Sequence, residues 1–288
     1  MPKELTHWII ADKTRQRLSG SGIGATVAAH RAEYLAGAVL PDTLLHVFRG
    51  PHARVALGLS HHFHDPPHDS YLPLVQAWQK AGSLPAPVFA CLLGVVSHMQ
   101  ADMAIHPNVF ARTGKKMGEH YRLETRIDTD FLRRGETPPV RRMRELVTPA
   151  TRGALVEALG LVFDPEGRLP RATLERALEL HCRFQGMYDR LPWKVFAGVV
   201  GRICGAPFSD QRHLFYPLVR RGRPQPEPES WRHPGTGEQR RETVSELAEC
   251  AAQRTAELFR RIEEKGFVAA LSEAEGKSLI NETMNHEP

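Results

Sequence analysis

The stretch CLLGVVSHMQADMAIH, residues 91–106, constrains the fold more than any other part of the chain. Val95, Val96, Met99, Ala101, Met103, Ala104 and Ile105 fall on nearly every side of a helix drawn through it. A helix apolar all round belongs inside a protein, with other helices packed about it. Within that oily surround stand His98, Asp102 and His106. Residues four apart share a helix face, about 6 Å apart along the axis, so His98 and Asp102 point the same way. Burying an imidazole and a carboxylate costs at least ~2 kcal/mol each unless they are hydrogen-bonded, ion-paired or bound to a metal. The segment therefore demands polar partners inside a core.

The rest of the pattern is helical. Apolar periodicity and breakers predict helices over 22–39, 71–81, 86–106, 117–133, 140–160, 170–187 and 191–204. A last one, VSELAECAAQRTAELFRRIEEKG, stops at Gly266. The tract SHHFHDPPHDSY reads as a loop, and the polar segment at about 220–242 as an irregular connection. No strand series or internal repeat is evident. The expected architecture is all-α: one multi-helix domain over residues 1–288.

Composition narrows the chemistry. The 41% hydrophobic and 25% charged fractions are those of a soluble globular protein. Four scattered cysteines without a CxxC pair exclude a zinc ribbon or a disulfide framework and fit a reducing compartment. The opening MPKELTHWIIADK does not read as a secretory leader, and no run of about eighteen apolar residues follows it. The expectation is a cytoplasmic protein, with peripheral membrane contact allowed. A net charge of +5 suits an anionic substrate or surface. Histidine usage is the departure: of fifteen, eleven fall in the first 120 residues. Such a concentration is how a metal site looks in sequence.

His120 and Glu124 form a second His-x3-carboxylate pair on the next predicted helix, and His106, before Pro107, stands where the preceding helix should end. Two crossing helices with such pairs face to face form a cage of nitrogen and oxygen donors. That donor set, free of cysteine, fits catalytic zinc, manganese or iron. Each piece alone has a blander reading: a core hydrogen bond for His98 and Asp102, a solvated pair for His120 and Glu124. Their joint occurrence between positions 98 and 124 favours ligands.

Upstream lie THW at 6–8, LPD at 40–42 and HHFHDP at 61–66. With these, the set resembles the zinc-dependent phospholipase C family and its relatives, the single-strand-specific zinc nucleases. The family order reads here as His7, Asp42, His62, then His98 and Asp102 in HMQAD, His106 in IHP, and His120 and Glu124 in HYRLE. The resemblance covers about residues 5–130. It implies a site of two or three zinc ions, Zn2+, that activates water for in-line attack on a phosphodiester. By analogy His62, His98, Asp42 and Asp102 hold one ion, and His106, His120 and Glu124 a second. His7 helps to hold a third, with Asp102 bridging. Asp42 is the candidate to orient or deprotonate the water, and Asp65 to steady a ligand imidazole. Among His61, His62, His64 and His68 the choice falls on His62, because Phe-x-Asp-Pro follows it. The chain departs from the secreted members in placing Trp8 after His7 instead of at a processed terminus.

Three alternatives stand beside a phospholipase C-like hydrolase. One is a helical HD-type phosphohydrolase, for which His64-Asp65 supplies the dipeptide but Pro66-Pro67 denies it a helix. Another is a single-strand nuclease, which basic charge suits; Glu124 and the 7% aromatic content point instead to a phospholipid headgroup. The third is a non-catalytic metal-binding scaffold. Phe208, Phe215, Tyr216, Arg220, Arg221 and Trp231 are candidate contacts to a lipid or phosphate.

Overall fold

The computed structural model describes residues 3–64, 71–205, 208–217 and 222–274. It is built from helices. The first are α1 (Glu4–Gln16), α2 (Gly22–Ala29) and α3 (Arg31–Gly37), then a 3-10 helix at Leu40–His46, α4 (Ala53–His64) and α5 (Leu72–Ala81). The middle of the chain forms α6 (Ala86–Thr113), α7 (Met117–Arg133), α8 (Pro149–Phe163) and α9 (Arg171–Gln185). The last part contributes α10 (Leu191–Cys204), α11 (Phe208–Gln211), a 3-10 turn at Arg212–Leu214, α12 (Val244–Lys265) and α13 (Phe267–Ser272). The polar connection before α12 carries a two-residue antiparallel pair, β1 (Trp231–Arg232) and β2 (Gln239–Arg240), with Trp231 opposite Arg240.

The oily stretch is the axis of the molecule. α6 packs against α1, α3, α7, α8 and α12, and its side chains are buried from Val88 to Val109 with few exceptions. Its length and hydropathy would suffice to cross a bilayer, against the expectation that no run of that kind follows the opening residues. Yet 83% of its most apolar window is enclosed by protein, as befits a core helix. The main apolar cluster joins one side of α6 to α3, α5, α8, α9 and α13. A second cluster joins the other side to α1, α7 and α12 through Ile9, Ile105, Leu123, Phe131 and Leu247. Thr243 starts α12 with a reciprocal capping box, its hydroxyl accepting from the Glu246 backbone N–H while the Glu246 carboxylate accepts from the Thr243 N–H at 2.8 Å. Gly266, at φ +86°, ends it.

Four expectations need correction. The helix read over 140–160 is α8, which starts only at Pro149 under the Thr148 cap, with a 3-10 turn at Met143–Glu145 before it. In the other three, tertiary packing outweighs a local signal. The helix read over 22–39 is two, broken at His30 (φ −116°, ψ 44°), so that α3 turns to lie along α6. The loop read over SHHFHDPPHDSY is helical through His64; positions 65–70 lie outside the described residues. α6 does not end at His106 but continues through Pro107 to Thr113, losing the one backbone bond that proline cannot donate. His106 is thereby fixed in mid-helix.

α3 and α6 meet backbone to backbone. A Cβ built on Gly94 would lie 2.8 Å from the Gly37 Cα and would collide with the Tyr34 carbonyl oxygen. Gly94→Val is expected to lower stability by about 3 kcal/mol through overpacking against rigid backbone, read as a lowered melting temperature in thermal unfolding. An unchanged melting temperature would show that the two helices are free to separate.

Candidate metal centre

Five elements bring polar side chains to one buried place. α1 presents His7. Its register is held by Trp8 Nε1, which donates to the Leu35 carbonyl at 3.0 Å, and by Thr6, whose N–H and hydroxyl donate to Asp128 Oδ1 at 2.9 and 2.5 Å. The 3-10 helix after Pro41 presents Asp42, α4 presents His64, α6 presents His98, Asp102 and His106, and α7 presents His120 and Glu124.

Backbone carbonyls decide which ring nitrogens are open. His98 Nδ1 lies 2.9 Å from the Ala38 carbonyl, and His64 Nδ1 lies 2.8 Å from the Ser60 carbonyl. A carbonyl only accepts, so each Nδ1 carries a proton and the lone pair that a neutral ring offers is the inward-facing Nε2. Those lone pairs meet oxygen lone pairs. His98 Nε2 is 3.2 Å from Asp102 Oδ2, His64 Nε2 is 3.4 Å from Asp42 Oδ1, and His7 Nε2 is 3.5 Å from Asp102 Oδ1. The His7 ring stacks on His98, with centroids 4.1 Å apart and planes 8° from parallel. On the other side of Asp102, His106 Nε2 stands 3.9 Å from its Oδ1 and 3.8 Å from Glu124 Oε1. His120 Nε2 stands 2.8 Å from that same Glu124 oxygen.

Three sets of donor atoms lie within 4.8 Å of one another: His7, Asp42 and His98; His64, His98 and Asp102; and His106, His120 and Glu124. Both nitrogens of His7, both of His106, Nε2 of His64 and His98, Oδ1 of Asp42 and both oxygens of Asp102 are buried without a hydrogen-bond partner among the described residues. Leaving even one such atom unsatisfied costs about 1–3 kcal/mol. Nitrogen and oxygen lone pairs converging on shared points are what divalent zinc requires, and the donor chemistry fits it.

The electrostatics suit ligation. Burial by itself would raise the Asp102 carboxyl, but the His106 and His98 rings outweigh it and hold it well below the usual range. Asp42 is likewise held down, against burial, chiefly by His64. Burial, with the adjacent His98 ring, pushes His7 down to about 3, so it is neutral. His98 goes the other way: against burial, the Asp102 and Asp42 carboxylates raise it. A metal bound there takes the place of a proton, since ionised carboxylates and neutral imidazoles are the forms that bind metal.

His62 is not among these residues. It is exposed, as is His61, while His64 is buried one helical turn after Ser60. The loop reading hid this: on a helix, residue 64 shares the inward face of residue 60, and residue 62 points elsewhere. The i, i+4 spacing from Ser60 was the signal that singles out His64. Asp65, His68, Arg220 and Arg221 lie outside the described residues.

The sequence reading missed two supports. Behind Asp42, His46 Nδ1 donates to its backbone carbonyl at 3.1 Å and stacks on His181 at 4.4 Å. His181 bonds Thr43 Oγ1 through Nδ1 at 3.0 Å and lies 3.8 Å from Glu4. The second support is Asp128, which joins α7 to Thr6 and also accepts from the Tyr216 hydroxyl at 2.5 Å. Tyr216 is thus a structural anchor, and Trp231 is buried beside α12 with its Nε1 donating to the Glu242 carbonyl. Phe208 is exposed.

A family model described as zinc dependent phospholipase C matches residues 6–158, more than half of the chain. Neither the curated proteins nor the solved structures compared with the chain include a match to it.

His64→Ala should lower the zinc bound per chain, measured by elemental analysis, whereas His62→Ala should leave it unchanged; the reverse pattern would return the ligand role to His62. Asp128 gives a pH test. Burial pushes its carboxyl up to about 6, against the Thr6 and Tyr216 bonds, from 3.8 in an exposed chain. The folded state then holds more protons than the unfolded state between those values, so its contribution to stability is full below the lower one and lost as pH rises through the upper. The stability of the protein minus that of Asp128→Asn, from denaturant titrations, should fall between pH 4 and about 7. A flat or rising difference would contradict the assignment.

Proposed function

The chain is a metal-dependent hydrolase of the zinc-dependent phospholipase C family, and on that footing we propose that it cleaves phosphodiesters, phospholipid headgroup esters foremost, at a site of two or three zinc ions. The observation that carries this reading is the convergence of three donor sets on one buried place. His106, His120 and Glu124 would hold one ion, and His64, His98, Asp42 and Asp102 a second; His7 would serve a third. Bound there, zinc supplies Lewis acidity, lowering the pKa of a water and drawing charge from a phosphoryl oxygen.

The chain's own residues supply the rest. Asp102 and Glu124 are sealed, with side chains 0% and 2% exposed, whereas the Asp42 side chain is 14% exposed. Asp42 is therefore the carboxylate that a water and a substrate can both reach, and its ionised state fits it to accept a proton. As that water's oxygen bonds to phosphorus, one proton passes to Asp42 and the bond to the leaving alkoxide breaks. The alkoxide takes up that proton from Asp42, so that diester and water become monoester and alcohol and the carboxylate is restored. Ala38 and Ser60, by holding the Nδ1 protons of His98 and His64, keep both rings in the tautomer that faces inward.

EDTA should abolish hydrolysis of a chromogenic phosphodiester, and added zinc should restore it. Asp42→Asn should reduce kcat by about 100-fold or more, as loss of a general base does, with KM little changed. Bound zinc without turnover of lipid, nucleotide or model diester would favour the scaffold reading instead.

A further inference from the structure

α10 is amphipathic the wrong way round. Leu191, Val195, Phe196, Val199 and Ile203 are 50–78% exposed. At about 100° per residue they share an arc of roughly 140° on one side of the helix. The opposite side makes the contact with the protein: a Cβ built on Gly201 would lie 2.8 Å from Ser209 Cα in α11. α11 and the turn at Arg212–Leu214 in turn pack on α7, the helix of His120 and Glu124. A surface helix of a self-contained protein points its apolar stripe inward. A contiguous apolar face pointing outward marks an interaction site.

Beside this face is a cleft of about 620 Å³. Arg112, Arg122, Arg126, Arg133, Lys194 and Arg212 line it, with Glu119 the one carboxylate among the described lining residues and Asp130 behind them pairing with Arg126 and Arg133. Lys194 and Gly198 of α10 form part of its wall, so apolar arc and cationic cleft share a rim. This pairing selects among occupants. A second copy would bring its own cations to the face and a net charge of +5 to the approach. Nucleic acid would match the cleft but leave the apolar arc in water. A bilayer with anionic headgroups matches both at once. Fourteen residues make a helix about 21 Å long, too short to span a membrane and long enough to lie in its surface.

We propose that α10 is a membrane-surface helix, its outer arc entering the boundary between headgroups and acyl chains of an anionic bilayer while the adjacent cleft gathers lipid phosphates. This deepens the phospholipid reading of the metal site and rests on it for purpose, but its test does not depend on hydrolysis.

The test is co-flotation of the full-length, zinc-loaded protein with vesicles of phosphatidylcholine alone or of equimolar phosphatidylcholine and phosphatidylglycerol. The expected result is about tenfold or stronger preference for the anionic vesicles, weakened by added salt. Phe196→Asp with Val199→Asp should remove binding to both vesicle types. Arg122→Gln with Arg212→Gln should remove only the anionic preference. Both pairs should retain zinc content and turnover of a soluble model diester. Vesicle binding without diester turnover would leave the membrane helix standing and strike the hydrolase reading alone. The proposal is overturned by unchanged flotation of the apolar pair, by equal binding to neutral vesicles, by self-association that the apolar pair abolishes without any vesicle binding, or by a single-stranded oligonucleotide that outcompetes the vesicles.

Discussion

The structure is organised around a carboxylate in the wrong place. Asp102 sits at 0% side-chain exposure in α6, a helix long and apolar enough to cross a bilayer, with neither oxygen hydrogen-bonded among the described residues. An isolated ionised carboxylate there is prohibitively costly, and removing one partner of a buried pair costs about 3–5 kcal/mol. Three imidazoles, His7, His98 and His106, stand within 3.9 Å of it. With one of them protonated through Nδ1 to a carbonyl, the compensation at that contact must come from a cation at the Nε2–oxygen interface: a proton, or a metal shared with neighbouring donors. The surrounding donor sets fit the second. His64 and Asp42 repeat the same lone-pair confrontation at 3.4 Å, and His120 with Glu124 closes the other end.

That requirement explains features of the fold with no local cause. α3 must approach α6 closely enough for the Ala38 carbonyl to reach His98, and the bare Gly37–Gly94 contact permits it. α6 must continue beyond Pro107 so that His106 stays four residues from Asp102 on the same face. α1 must be held in register for His7, which Trp8 does at one side and Thr6 with Asp128 at the other. The bonds through Ala38, Trp8 and Asp128 join elements far apart in the chain and place the donor side chains together.

This division also explains what could be read from the chain alone. α7 and α10 have the predicted bounds, 117–133 and 191–204, because apolar period and flanking breakers agree there. The pairs His98–Asp102 and His120–Glu124 were legible because each rests on the four-residue repeat of one helix. The His30 break, the extension of α4 through His64 and the passage of α6 through Pro107 were not, since only packing partners decide them. Choosing among the histidines at 61, 62 and 64 needed the direction of a helix face, hidden behind a proline-rich loop signal. Glu4, His46 and His181 were beyond sequence reasoning: Thr43 and His181 meet across 138 residues with no spacing to announce it. The outward direction of the α10 apolar arc is not legible in the sequence, because periodicity gives a stripe without saying which way it faces.

The central claim is that the buried nitrogen and oxygen lone pairs converge on shared metal ions. Anomalous diffraction at the zinc absorption edge, on crystals grown from zinc-loaded protein, tests it most directly. The account predicts anomalous peaks about 2.0–2.2 Å from His98 Nε2, Asp102 and His106 Nε2, at least two of them and within reach of His64 and His120. A map with no peak in that cage, and direct hydrogen bonds joining the imidazoles to the carboxylates instead, would contradict it.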